Sequence, residues 1–110
     1  MRPFFWKNKK KIPVYGSYRT INALKSKYTF CFIPRHGYKP IMKPNIVKNQ
    51  FKIKKKKQIL SVKPFDVIHG MIKATGFLFE KVAYISDCNK IPKASFKNLY
   101  DLEYLVLDCL

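Results

Sequence analysis

Three features of the sequence point to a layered α/β domain. Strand-like and helix-like segments follow one another in the order strand, helix, strand. Tyr104-Leu105-Val106-Leu107 is a nearly all-apolar run of the kind that strands buried on both faces carry. The 110 residues, 47% hydrophobic and 15% aromatic, are too apolar for a disordered polycation and too few to bury a second core. The expected organisation is therefore a single domain over residues 1–110.

Ile12-Pro13-Val14-Tyr15-Gly16 reads as a short strand ended by glycine. Ser17 offers an N-cap oxygen to a helix reaching Lys27, with Ile21 and Leu24, three apart, turned toward a core. Tyr28-Thr29-Phe30-Cys31-Phe32-Ile33 is β-branched and aromatic, hence strand-like, and Pro34 stops it. From Pro34 to Pro44, three prolines and Gly37 predict a long irregular connection. Phe51-Lys52-Ile53 and Ile59-Leu60-Ser61-Val62 predict two strands, with Lys54 to Lys57 at a hairpin tip where water solvates the charges. Phe65 to His69 alternates and ends at Gly70. Phe77-Leu78-Phe79 and Val82 to Ser86 flank Glu80-Lys81, a two-residue hairpin turn. Pro92 and Ser95 introduce a short helix to Tyr100, and the Tyr104–Leu107 strand follows.

Charge is divided unevenly. Residues 1–60 hold 17 Lys and Arg and no acid, whereas residues 61–110 hold 6 Lys and 6 acids, so the net charge of +17 lies wholly in the first part. One reading is a small basic nucleic-acid-binding module using residues 1–60. Against it stand 20 Lys to 3 Arg, since Arg is the side chain favoured for bidentate phosphate and base contacts. Abundant Lys, Ile, Asn, Phe and Tyr is also what an AT-rich coding bias produces. No apolar run approaches the roughly 18 residues of a membrane span, so no membrane partner is expected. The first residues lack a signal-peptide layout. Three widely spaced cysteines, Cys31, Cys88 and Cys109, argue against a disulfide framework and for a reducing cytoplasm.

Three polar residues fall at the carboxyl ends of apolar strands: His69, Asp87 and Asp108. In layered sheets the crevice beyond those ends is where ligands bind. An imidazole and a carboxylate converging there are suitable ligands for zinc, manganese or iron. The same residues also serve as a hydrogen-bonded turn histidine and a helix-capping aspartate, and the residues alone leave both readings open. Cys88 and Cys109 follow Asp87 and Asp108; strand alternation points both thiols into the core. His36, in the Pro34–Pro40 loop, is a candidate substrate contact, against the commoner reading of a plain surface histidine. Glycine-rich phosphate loops, Cys-x-x-Cys pairs, Gly-x-Ser-x-Gly elbows and His-Glu-x-x-His helices do not occur in the sequence.

Val67-Ile68-His69-Gly70, Thr75-Gly76-Phe77, Val82 to Asp87, Ile91-Pro92 and Leu105-Val106-Leu107-Asp108-Cys109 together resemble the metallo-β-lactamase superfamily. The resemblance is strongest to its phosphoribosyl 1,2-cyclic phosphate phosphodiesterase branch. Arg2-Pro3-Phe4, Ile12 to Ser17, Tyr28-Thr29-Phe30 and Tyr38-Lys39-Pro40 extend the likeness upstream. It implies a partial four-layer αββα sandwich in which His69 and Asp87 are metal ligands, with Asp87 bridging two divalent metals. It further implies hydrolysis of a small anionic ester or phosphodiester, such as a cyclic phosphate, through a metal-bound hydroxide. The family's His-x-His-x-Asp-His motif would fall before Arg2, and a last histidine ligand would fall beyond Leu110. On that reading the domain is incomplete and the chain inactive alone, because two ligands hold a dinuclear centre weakly. Sheet edges left open by missing strands would admit a homodimer.

Overall fold

The structure, a computed structural model, describes residues 2–108. The chain is mixed α/β with two sheets and short helices, the content of a partial αββα sandwich. It divides into two compact units, with the boundary between Lys48 and Asn49.

The first unit contains α1 (Arg2–Asn8), β1 (Ile12–Gly16), α2 (Tyr18–Lys27), α3 (Thr29–Phe32) and β2 (Met42–Ile46). Ser17 caps α2 as expected: its Oγ accepts from Thr20 N at 3.2 Å, satisfying one of the backbone donors a helix start leaves open. Ile21 is fully buried on the inner face of α2. β1 and β2 pair in parallel, from Ile12 opposite Met42 to Gly16 opposite Ile46, with α2 and α3 in the crossover. Two expectations fail here. Tyr28 to Ile33 is not a strand, because Thr29–Phe32 adds one more helical turn after α2. Thr29 Oγ1 donates to Lys25 O at 2.9 Å, Ile33 N donates to Thr29 O, and Cys31 turns inward against Ile41 and Met42. A buried contact for Cys31 outweighs the weak β preference of its neighbours. The Pro34–Pro44 connection also ends earlier than expected, since Met42 to Pro44 already belongs to β2. Both strands of this two-stranded sheet are edges, where Pro13 and Pro44 are tolerated.

The second unit is a five-stranded sheet in the order β3 (Phe51–Lys55), β4 (Gln58–His69), β5 (Ile72–Phe79), β6 (Val82–Ile85), β7 (Tyr104–Leu107), with α4 (Lys93–Phe96) between the last two strands. β3 to β6 are antiparallel neighbours joined by the two-residue turns Lys56-Lys57, Gly70-Met71 and Glu80-Lys81. The first turn residue takes positive φ in each case: 54° at Lys56, 60° at Gly70 and 53° at Glu80. The expected Glu80-Lys81 turn and the strands beside it are present.

β4 is one strand where two were expected, running through Pro64. β3 ends opposite Val62, so at Pro64 a neighbour remains on one side only, and a missing N–H is tolerated at such an edge. Phe65, Val67 and Ile85 form the core of the sheet, with Ala74, Leu78, Ile91 and Leu99 packed on it. The Phe65 ring lies over Gly76, its cross-strand partner: a Cβ there would sit 2.5 Å from Phe65 Cζ. Ser95 fastens α4 to β4, its Oγ donating to Asp66 O at 2.6 Å. The helix expected to reach Tyr100 is shorter, and residues from Lys97 continue as turns.

β7 departs from expectation most clearly. It pairs in parallel with β6 at the edge of the sheet, but Tyr104, Leu105, Val106 and Leu107 are all exposed. Its apolar sequence reports a strand suited to burial, while the described residues leave it uncovered.

Candidate functional site

The sheet topology brings three carboxyl-terminal strand ends to one edge. β5 reverses the direction of β4, β6 reverses it again, and β7 runs parallel to β6. The ends of β4, β6 and β7 therefore lie together, and the residues at or just beyond them are His69, Asp87 and Asp108. All three line one pocket of about 260 Å³, together with Gly70, Ser86, Cys88 and Asn89. The crevice inferred from strand ends is thus present. His69, Asp87 and Asp108 are each exposed, open to a ligand arriving from solvent.

Backbone hydrogen bonds fix the rim. Ile68 N donates to Lys90 O and Asn89 N to Ile68 O, both at 2.9 Å, tying the end of β4 to the loop after β6. Gly70 N donates to Asn89 Oδ1 at 3.2 Å, which anchors the turn that follows His69. Asp108 N donates to Ile85 O at 3.1 Å and holds the third strand end in register. Gly70 adopts φ +60°, a left-handed conformation that glycine takes without steric penalty. Asn89 was not foreseen from the sequence. The available signal was its type, since Asn in a loop commonly bonds to nearby backbone.

The donor chemistry suits a divalent metal, because an imidazole and a carboxylate open onto one pocket. The number of donors does not close such a site. Among the described residues, no group of three His, Cys, Asp or Glu side chains is placed to hold a metal ion. Cys88 is half-buried rather than fully buried: it packs on the Phe65–Val67–Ile85 core and also borders the pocket. Cys109 lies outside the described residues. His36 is an exposed residue of the first unit with φ 48°, in the short turn between Arg35 and Tyr38, and it is not among the pocket residues. Among the described residues, no helix is long and apolar enough to cross a membrane.

Comparison with known proteins gives three findings. A solved diphosphatase from the PhnP family superposes on 86% of this chain with a TM-score of 0.68 and 26% sequence identity. The match spans about a third of that protein, 33% of its length. Among curated proteins, none matches. The family model for the β-lactamase superfamily domain matches residues 1–110. With the two sheets and the strand-end pocket already described, that full-length match means that the chain belongs to the metallo-β-lactamase superfamily, with its likeness to the PhnP family.

Proposed function

We propose that the pocket between His69, Asp87 and Asp108 is part of the active centre of a metal-dependent hydrolase acting on phosphate esters in the cytoplasm. The observation that carries this reading is the shared pocket of His69 and Asp87, residues from two different strand ends. The superfamily match supports the reaction class. The diphosphatase neighbour supports a phosphate-containing substrate and adds a diphosphate linkage to the cyclic phosphodiester expected from sequence.

His69 and Asp87 would hold the metal, the imidazole as a neutral donor and the carboxylate as an anionic one. A divalent ion bound there would supply Lewis-acid activation of water and neutralisation of charge on a phosphoryl oxygen. The chain's own residues set the geometry. The β4 and β6 ends fix the backbone positions of both donors, and Asn89 keeps the turn after His69 closed against the loop that carries Asp87. The net charge of +17 favours anionic over neutral substrates.

Because the chain spans a third of the diphosphatase, the test uses a chimera in which this chain replaces the matched third of that protein. Metal-dependent hydrolysis of a phosphodiester or diphosphate, lost on His69→Ala and on Asp87→Ala, is the expected result. A folded, active chimera indifferent to both substitutions would overturn the assignment. The 110-residue chain alone is expected to show no turnover.

A further inference from the structure

We infer that the β3–β4 ribbon is a docking surface for the backbone of duplex nucleic acid, a function separate from the strand-end pocket. β5 pairs with β4 only from Val62 onward, so residues 52–61 of the two strands pair with each other alone and form a two-stranded ribbon. Lys52, Lys54, Lys55, Lys56 and Lys57 on this ribbon are all exposed. Lys52 lies opposite Ser61 and Lys54 opposite Ile59, so both share one face, which exposed Lys63 continues two residues beyond Ser61. Lys55, Lys56, Lys57 and Gln58 line a shallow cleft at the tip.

A second turn in the same sheet sets these charges apart from an ordinary solvated turn. The Glu80-Lys81 turn has the same two-residue length and the same positive φ at its first residue. There the charges are balanced, and Lys81 Nζ lies 3.2 Å from Glu103 Oε1. The Lys56-Lys57 turn sits in a run of four lysines, and residues 1–60 contain no acid to offset it. Among the described residues, the ion pairs are Lys73–Asp66 and Lys81–Glu103, neither on the ribbon. Like charges gathered at one hairpin repel one another. An external polyanion removes that repulsion and releases counterions on binding.

The side chains also define the kind of partner. A two-stranded ribbon fits the roughly 12 Å major groove of a B-form duplex. Successive lysines on one face, such as Lys52 and Lys54, are about 6.7 Å apart along the strand, close to twice the per-strand charge spacing of a duplex. The ribbon's Lys52–Lys54 face carries no aromatic ring, and Phe65, next on that face after Lys63, is buried, so no stacking platform is open to single-stranded bases. Arg, the side chain with the rigid fork that favours bidentate base contacts, is absent from the ribbon, so contacts to phosphates dominate and binding is expected to depend little on sequence.

The test is fluorescence anisotropy of the 110-residue chain with a labelled mixed-sequence 20-base-pair DNA, across a salt series. The variant Lys54→Gln/Lys56→Gln/Lys57→Gln should lower the slope of log K against log salt by about 2–3. A control with the same charge change elsewhere, Lys90→Gln/Lys93→Gln/Lys97→Gln, should keep the wild-type slope. As a measurement needing no variant, amide shifts on adding the duplex should centre on Lys52–Ser61. Equal loss of slope in both variants, tighter binding to the single strand, or preference for phosphatidylserine vesicles over the duplex would each overturn the proposal.

Discussion

Gly70 donates its backbone N–H to Asn89 Oδ1 at 3.2 Å, joining the turn after β4 to the loop after β6. His69 directly precedes that donor, and Asp87 lies two residues before that acceptor. The bond therefore links the two chain segments that carry the candidate metal ligands.

Removing the acceptor by Asn89→Ala should destabilise the chain by about 0.5–1.5 kcal/mol, the usual net value of one such bond. Asn89→Asp keeps an acceptor oxygen and should retain most of the stability. Urea unfolding midpoints of the two variants check this. An Asp variant as destabilised as the Ala variant would show that the Oδ1 contact is not what matters.

Gly76 should resist enlargement. A Cβ at this position meets Phe65 Cζ at 2.5 Å and Cε2 at 2.7 Å. Phe65 is itself packed into the core and cannot swing away freely. Gly76→Ala should cost about 1–3 kcal/mol by overpacking. In a Phe65→Leu background the same change should cost less, and a double-mutant cycle measures the coupling.

Ser95 is buried, and its Oγ donates to the Asp66 carbonyl, pinning α4 to β4. Ser95→Ala leaves that carbonyl short of a partner and should cost about 1–3 kcal/mol. A thermal melt unchanged from wild type would contradict the contact.

The apolar side chains of β7 are exposed along a free sheet edge, a template for pairing with another chain. Wild-type protein should self-associate with rising concentration in sedimentation velocity runs. Val106→Lys should suppress this while changing folding stability by no more than about 0.5 kcal/mol. A wild-type chain that stays monomeric throughout the concentration range would count against edge pairing.

What could be read from the sequence was what local chemistry determines. Ser17 announces its helix because a hydroxyl ahead of an apolar-periodic segment satisfies a helix donor directly. Glu80-Lys81 announces its hairpin because strand patterns flank two polar residues. His69, Asp87 and Asp108 announce a crevice because each ends an apolar strand. Failures arose where distant partners decide. Tyr28–Phe32 is helical because Cys31 finds Ile41 and Met42 across a connection of nine residues. Pro64 stays within a strand because β3 has already ended. β2 forms through parallel pairing with β1, a contact thirty residues away that its proline-rich sequence conceals. Asn89 escaped notice because its role lies in one bond to Gly70, nineteen residues earlier.

In the proposed function His69 and Asp87 together bind a divalent metal, and the chain's two histidines allow a direct measurement. Manganese titrated into the protein broadens the imidazole proton resonances of any histidine that binds it. His69 should broaden in preference to His36 at low manganese, and Asp87→Ala should abolish the preference. Broadening centred on His36, or His69 broadening undiminished in the Asp87→Ala protein, would contradict the proposed function.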